Sequence, residues 1–167
     1  MSNLRILLYV FILSLVACHP EGTNVKQGLD KAAQLIEQDP DTASIILETI
    51  QMNQMNEEQL AEYNLLCTQF NEDKNIPHSS DNQIRQAVSY YEQYGNELQK
   101  SRAYYYLACV ESDLNQEKDA EVHFKEAIKL AAQAEEYEQM TKICKRCSLY
   151  YPVSYTHLRA HETGRNL

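Results

Sequence analysis

Glycine and proline are scarce in this chain, which has four of each among 167 residues. Because these residue types form most tight turns and end many helices and strands, the chain has few places for sharp turns. Tryptophan is absent, and 12 Tyr and three Phe supply all the aromatic side chains. The content of 44% hydrophobic and 23% charged residues fits one globular or repeat domain. The composition therefore favours an all-α fold.

Positive charge is also in short supply. The chain has 15 Lys and Arg against 24 Asp and Glu, which gives a formal net charge of -9 at pH 7. A field of that sign repels phosphate backbones and anionic lipid surfaces. We therefore expect no nucleic-acid partner, and we favour basic or neutral protein partners.

The usual arrangements of catalytic residues are missing from the sequence. It has no Gly-rich phosphate loop, no H-E-x-x-H motif and no grouping of a nucleophile with a base. Paired carboxylates such as Glu135 and Glu136 lie on stretches where charged residues typically keep a helix soluble. His78 follows Pro77 in a loop, and His123 lies on a charged helix. We predict no catalytic residue, no cofactor and no metal site.

Cysteines give only a weak signal for metal or redox chemistry. Cys144 and Cys147 form the one close pair, whereas a structural zinc site needs four ligands, usually from two such pairs. The pair lies in a helix-like stretch, where small apolar residues pack well. We interpret these two cysteines, and also Cys67 and Cys109, as packing residues. An exported protein can form disulfides, but the spacing specifies none.

The first residues have the pattern of an export signal. Arg5 precedes an apolar run over residues 6–15, which is shorter than the roughly 20 residues that a helix needs to cross a bilayer. A transmembrane helix is therefore the weaker interpretation. The run ends in Leu15-Val16-Ala17-Cys18, which resembles the lipobox of bacterial lipoproteins. This resemblance implies that a peptidase removes residues 1–17 and that Cys18 carries a lipid.

A lipid on Cys18 would decide where the protein resides. Two or more acyl chains anchor a protein stably, so we expect the mature chain to be tethered to a membrane of the cell envelope. Residues 18–24 would be the anchor and a short polar spacer. A buried core cysteine is the alternative, but the polar residues that follow Cys18 argue against it. The sequence leaves open which membrane and which leaflet carry the anchor.

From residue 25 the apolar residues recur at helical spacing. Four helices are predicted over about residues 25–36, 42–53, 57–70 and 82–94. We expect Asp41 or Thr42 to cap the second helix, Asn56 the third, and a residue in the segment 79–81 the fourth. Gly95 follows the fourth helix, where a glycine commonly adopts a left-handed conformation. Helix, turn, helix is therefore the predicted unit.

A longer pattern of large and small residues lies over residues 101–133. The residues that form it are Tyr104, Leu107 and Ala108, followed by Ala120, Phe124 and Ala127. Their spacing matches W-x2-L-G-x2-Y and A-x3-F, the signature of a unit of about 34 residues. A ring and a leucine one turn apart can fill the gap between two helices, and the small residues let the backbones approach. Glu111 stands where the signature has an aromatic residue, and Ala132 where it has proline.

These residues resemble the tetratricopeptide repeat, strongly over residues 101–133 and weakly back to residue 25. The resemblance implies an all-α fold of antiparallel helix pairs stacked as a short solenoid over residues 25–152. It also implies a scaffold that binds a protein or peptide and has no catalytic activity. An unrelated helical bundle is the alternative fold. Together with the lipobox, the pattern is similar to Gram-negative lipoproteins in which such repeats precede a membrane helix and a regulatory part.

That similarity leaves a second function open. The chain would then be the sensory, partner-binding amino-terminal part of a larger membrane-associated signalling or regulatory protein. An enzyme is a more distant third hypothesis. A stop codon soon after residue 151 would favour the scaffold, and a following apolar run of about 20 residues would favour the sensor.

The repeat resemblance also points to a partner-binding surface. In tetratricopeptide arrays the first helix of each pair lines the inner surface, at positions that match Arg102, Tyr105 and Cys109. Arg and aromatic side chains contribute most to interface energies, so Arg102 and Tyr105 are the candidate partner-binding residues. Three consecutive residues cannot all face inward on one helix, so we expect at least one of Tyr104, Tyr105 and Tyr106 to be exposed.

The last residues have a separate origin in our interpretation. Residues 153–163 match the translation of a transposon-based sequencing-library adapter. We therefore expect residues 153–167 to be disordered and not to belong to the natural product, whose own C-terminus would be missing. His157 and His161 have the spacing of two zinc ligands on one helix face, but the adapter explains them without a metal.

Overall fold

The computed structural model describes residues 25–150, and this part of the chain is built from helices alone. The all-α fold class is confirmed. Its seven α-helices are α1 (Val25–Leu35), α2 (Pro40–Thr49), α3 (Glu57–Asp73), α4 (Asn82–Tyr94), α5 (Glu97–Asp113), α6 (Glu117–Gln133) and α7 (Tyr137–Tyr150), with a 3-10 turn at Met52–Gln54. The predicted signal peptide, Cys18, the spacer and residues 151–167 lie outside the described residues.

Each helix packs against the next one along the chain, from α1 against α2 to α6 against α7. Where a short turn joins two helices that are in contact, the two helices run antiparallel. The most extensive contact is between α5 and α6. In addition α1 contacts α3, α3 contacts α5, and α5 contacts α7. Alternate helices therefore form a row on one side of the molecule.

Helices α3 and α5 begin in the same way. Asn56 and Asn96 precede them, and each side chain accepts a hydrogen bond from the backbone N–H of the glutamine three residues on, at 2.9 Å. Gln59 and Gln99 accept in return from the backbone N–H of the asparagine, which completes a capping box at each site. The predicted cap at Asn56 is therefore confirmed. Both helices have 17 residues, and their starts at residues 57 and 97 lie 40 residues apart.

The start of α2 differs from the prediction. Asp39, rather than Asp41 or Thr42, is the capping residue, and its carboxylate accepts from the backbone N–H of Thr42 at 3.2 Å. The reason is Pro40, whose fixed backbone angle and missing N–H suit the first position of a helix. The hydrogen bonds that the Asp39 carboxylate accepts from Thr42 lower the pKa of Asp39.

Three helices end with a residue in the left-handed conformation: Asn75 after α3, Asn115 after α5 and Glu135 after α6, with φ of 54°, 60° and 57°. In each case the next residue donates its backbone N–H to a carbonyl five residues earlier, at 2.8 to 2.9 Å. These are Schellman motifs, which satisfy carbonyls that a helix end would leave without partners. The turns after α5 and α6 are three residues long for this reason.

Gly95 does not adopt the left-handed conformation predicted for it. Its φ is -81°, and the chain passes in an extended conformation through Asn96 into α5. Glycine is needed here for a different reason, because a Cβ atom would lie only 2.8 Å from the carbonyl oxygen of Tyr91. Close approach of two backbone segments, rather than a positive φ, explains the residue type.

Two hydrophobic clusters form the core. The larger one joins α3 to α7, and the smaller one joins α1, α2 and the other side of α3. Leu65 belongs to the larger cluster and its neighbour Leu66 to the smaller. Helix α5 is buried on most sides because it contacts α3, α4, α6 and α7.

Candidate functional site

The α5–α6 contact contains the residues that the sequence pattern singled out. Five of the six are fully buried there: Leu107, Ala108, Ala120, Phe124 and Ala127. Tyr104 is half-buried at the edge of the same cluster. The two helices approach so closely that the Ser101 hydroxyl donates a hydrogen bond to the Ala127 carbonyl, at 2.8 Å. Small side chains on both helices make this distance attainable.

Tyr105, one of the two predicted partner-binding residues, is only 4% exposed. Its ring packs edge-on against Tyr106, with centroids 4.8 Å apart, and against Phe124 at 6.1 Å. Burial raises the pKa of Tyr105 far above its ordinary value. The ring therefore offers little surface to a partner, which differs from the expectation. None of Tyr104, Tyr105 and Tyr106 is fully exposed, because α5 has neighbours on several sides.

Arg102, the other predicted partner-binding residue, is half-buried and lies where α5 meets α3. Its Nη2 donates a hydrogen bond to Oε1 of Gln69, at 3.1 Å. Gln69 is itself buried, so this bond satisfies an amide that would otherwise lose hydrogen-bonding energy in the interior.

Lys142 on α7 is a residue of this surface that the sequence reasoning missed. Its Nζ donates to the Tyr106 hydroxyl at 3.0 Å and lies 5.9 Å above the Tyr105 ring. The same ammonium faces Glu37 Oε1, just beyond α1, at 3.7 Å. Glu62, Arg102 and Lys142 follow one another at intervals of 40 residues. That spacing is the signal that could have identified Lys142.

We call the surface formed by Glu62, Arg102 and Lys142 the inner face, and the buried Gln69 is bonded to Arg102 beneath it. Burial raises the pKa of the Glu62 carboxyl; Asp30 raises it further, and Arg102 opposes the rise. The inner face thus places a carboxylate, a guanidinium and an ammonium group on α3, α5 and α7. Such groups can form hydrogen bonds and ion pairs with a peptide.

A buried charge network ties α4, α5 and α6 together on another side of the molecule. Glu111, at the position where the signature has an aromatic residue, is 0% exposed. One of its oxygens accepts from Arg85 Nη2 at 2.9 Å, and the other lies 2.6 Å from His123 Nδ1. His123 stacks on the Tyr104 ring, and the Tyr104 hydroxyl donates to Glu92. Glu111 with its partners Arg85 and His123 therefore occupies the place that an aromatic side chain has in the signature.

An aromatic groove of about 350 Å³ lies between α3 and α4. Tyr90 and Tyr94 line one side of it, with ring centroids 5.1 Å apart, and Leu60 and Ala61 line the other. Tyr94 is 61% exposed. The groove is a second accessible surface, and it is separate from the inner face.

The cysteines of the described part lie in packing positions. Cys109 and Cys147 are fully buried, whereas Cys67 and Cys144 are half-buried. Burial raises the pKa of the Cys109 thiol well above its ordinary value, which keeps it protonated and weakly nucleophilic. Cys109 does not provide a reactive group on the inner face.

Within residues 25–150, no helix combines the length and apolar character required to cross a membrane. Comparison with known proteins gives no match to a family model, to a curated protein or to a solved structure. The function is therefore inferred from the packing and the chemistry of the chain itself.

Proposed function

We propose that this chain is a lipid-anchored scaffold of the tetratricopeptide-repeat type, which binds a protein or peptide partner in the cell envelope and catalyses no reaction. The α5–α6 hairpin is the observation that supports the repeat assignment most directly. Its large and small residues occupy the helix contact in the order that the signature requires.

The length of the unit needs a physical explanation, because the signature describes about 34 residues. Here α3 and α5 begin 40 residues apart. Helices α5 and α6 have 17 residues each, and a longer connection over residues 74–81 follows α3. In the α5–α6 unit the additional residues lengthen the helices. In the α3–α4 unit they lengthen the connection between the helices. The repeat keeps its contacts while its period increases.

A stack of such pairs would place α1, α3, α5 and α7 along one surface, in line with the contacts between them. The inner face is part of that surface. Its Glu62 carboxylate and its Arg102 and Lys142 cations favour a partner segment with charges of both signs and backbone groups available for hydrogen bonding. In this proposal Arg102 and Glu62 contact the partner, and Tyr105 supports them from within the core.

Site-specific photo-crosslinking in cells tests the partner-binding role. A photoreactive residue is placed at Glu62 on the inner face, and a matched one at Lys125, whose side chain is 59% exposed next to Glu121 on α6. We expect a discrete protein adduct from position 62 and none from position 125. Arg102→Glu should abolish the adduct from position 62 by reversing the charge of the surface. Equal adducts at both positions, or none at either, would contradict the proposal.

The lipid anchor is tested separately through Cys18. Cys18→Ser removes the thiol that would receive the lipid, so the variant should stay as an unprocessed precursor in the soluble fraction. Cys67→Ser, which leaves the lipobox intact, is the control and should pellet with membranes like the parent. The anchor hypothesis fails if Cys18→Ser still sediments with membranes after a wash that removes peripheral proteins.

A further inference from the structure

We propose that Glu72, His78 and Asp113 form a binding site for a zinc-type divalent ion, a property beyond the scaffold role. Glu72 lies near the end of α3, His78 in the connection between α3 and α4, and Asp113 at the end of α5. One ligand atom from each residue lies within 4.8 Å of the other two. The end of α3 and the connection that follows it thus meet the end of α5, which is distant in sequence, and bring nitrogen and oxygen ligands together.

The distances are close to those of an occupied site. An ion at the centre of three atoms that are at most 4.8 Å apart lies within about 2.8 Å of each, and zinc binds oxygen and nitrogen ligands at about 2.0 to 2.2 Å. Each ligand atom would have to approach the ion by at most about 0.6 to 0.8 Å to reach these bond lengths.

The state of His78 is an independent indication of a ligand. Its Nε2 is buried, and it has no hydrogen-bond partner among the residues that the structure describes. A buried nitrogen without a partner loses hydrogen-bonding energy, which a bound metal would restore. The backbone N–H of His78 donates to Asp113 Oδ2 at 3.2 Å, which fixes the loop over the site.

Arg146 on α7 is compatible with an ion at this place. Its Nη2 forms an ion pair with Glu72 Oε1, at 2.7 Å. Because a carboxylate has two oxygens, Glu72 can hold Arg146 through one and the ion through the other, as metal-binding carboxylates commonly do. Glu72 and Asp113 supply two negative charges to the site, and Arg146 offsets one of them. A cavity of about 200 Å³ beside these groups leaves space for a water molecule as a fourth ligand.

The ligand set selects among metals. Imidazole nitrogen suits zinc and its neighbours in the first transition row, whereas calcium and magnesium prefer oxygen ligands alone. Three protein ligands and one open position are typical of zinc sites that retain a water molecule. We therefore assign the site to zinc. This zinc would join the α3–α4 connection to the ends of α3 and α5.

Zinc titration of the full chain in detergent, against a chromophoric chelator, tests the site. We expect uptake of about one zinc ion per chain, weakened at least about tenfold in His78→Ala and Asp113→Asn. Asp113→Asn keeps the shape of the side chain and guards against a loss of folding. His123→Ala is the matched control and should bind as the parent does. Zinc should also raise the melting temperature of the parent but not that of His78→Ala.

The cysteine thiolates and the pair His157 and His161 could also bind zinc, so their binding has to be distinguished from binding at the proposed site. Cobalt replaces zinc in the same experiment, because thiolate ligands give an intense charge-transfer band that histidine and carboxylates do not. His157→Ala/His161→Ala removes the histidine pair near the C-terminus and should leave uptake unchanged. The proposal is overturned if the parent binds no zinc, if His78→Ala binds as well as the parent, if the thiolate band appears, or if the His157/His161 variant loses the ion. None of these results depends on the proposed partner.

Discussion

Glu111, buried in the centre of the helical array, accepts a hydrogen bond from Arg85 across the α4–α5 contact at 2.9 Å. A buried carboxylate is costly unless a cation and hydrogen bonds compensate its charge. Arg85 supplies both, and its Nε also lies 2.5 Å from the carboxylate of Asp81, the residue just before α4. The pair thus holds α4 in a fixed register against α5.

Removal of the Arg85 cation should destabilise the fold, because the buried Glu111 carboxylate then loses its main partner. We expect Arg85→Met to lower the free energy of unfolding by about 2 to 3 kcal/mol, since His123 still contacts Glu111. Urea denaturation measures the change. Lys125→Met, which breaks an exposed ion pair with Glu121, should cost under about 1 kcal/mol. The double variant Arg85→Met/Glu111→Leu should recover most of the loss. If Arg85→Met costs no more than Lys125→Met, this role of the network is refuted.

Ala120 tests the close approach of α5 and α6. The residue is fully buried, so Ala120→Glu places a charge without a partner in the contact and should cost about 3 kcal/mol or more. Val122→Glu is the matched control, because Val122 is 61% exposed on the same helix. Thermal melting monitored by circular dichroism should show a large shift for the first variant and almost none for the second. Similar melting curves would contradict the packing described above.

Glu135 is predicted to be a site where glycine stabilises the protein. Its φ of 57° is unfavourable for a side chain with a Cβ, and glycine adopts it without that cost. We expect Glu135→Gly to raise the free energy of unfolding by about 0.5 to 1 kcal/mol. Glu135→Ala retains the Cβ and should change stability little. A destabilised Glu135→Gly variant in urea denaturation would show that the side chain contributes a contact that outweighs the strain.

Glu62 should make stability depend on pH. Burial raises the pKa of its carboxyl in the folded protein, so folding favours the protonated form. Its contribution is therefore complete below the ordinary glutamate pKa of about 4.3 and is lost as the pH rises through the folded value. Glu62→Gln should be more stable than the parent at pH 7, and the difference should vanish near pH 4. Glu138→Gln, on an exposed position of α7, should show no such trend, and a pH-independent difference for Glu62→Gln would refute the assignment.

Local chemistry made much of the helical layout predictable from the sequence. The cap at Asn56 and the buried faces around Leu29, Leu47 and Ile84 follow from residue type and helical spacing, which act within a few residues. The second helix was predicted to reach about residue 53, but it ends at Thr49, and a short 3-10 turn follows. Helix ends depend on backbone hydrogen bonds that several residue types can form, so their positions are less well determined.

Contacts between distant helices could not be predicted in the same way. Tyr105 is buried because Phe124 on α6 packs against its ring and α7 brings Lys142 near it, and no periodicity within α5 shows that. Glu111 looks like a solvated charge until Arg85 and His123 are placed beside it. Gly95 was expected to have a positive φ because glycine often does at a helix end, but the approach of Tyr91 determines its role. Each of these features depends on partners that only the folded chain brings together.

Leu65 and Leu66 are adjacent in α3, yet they belong to different hydrophobic clusters. Neither half of the array can melt without stripping one side of α3 and leaving that leucine in water. Opening either half therefore costs the exposure of a leucine on α3 in addition to the interior of that half, so α3 couples the stability of the two halves. A protease that attacks one end would meet this added cost where the unfolded segment reaches α3.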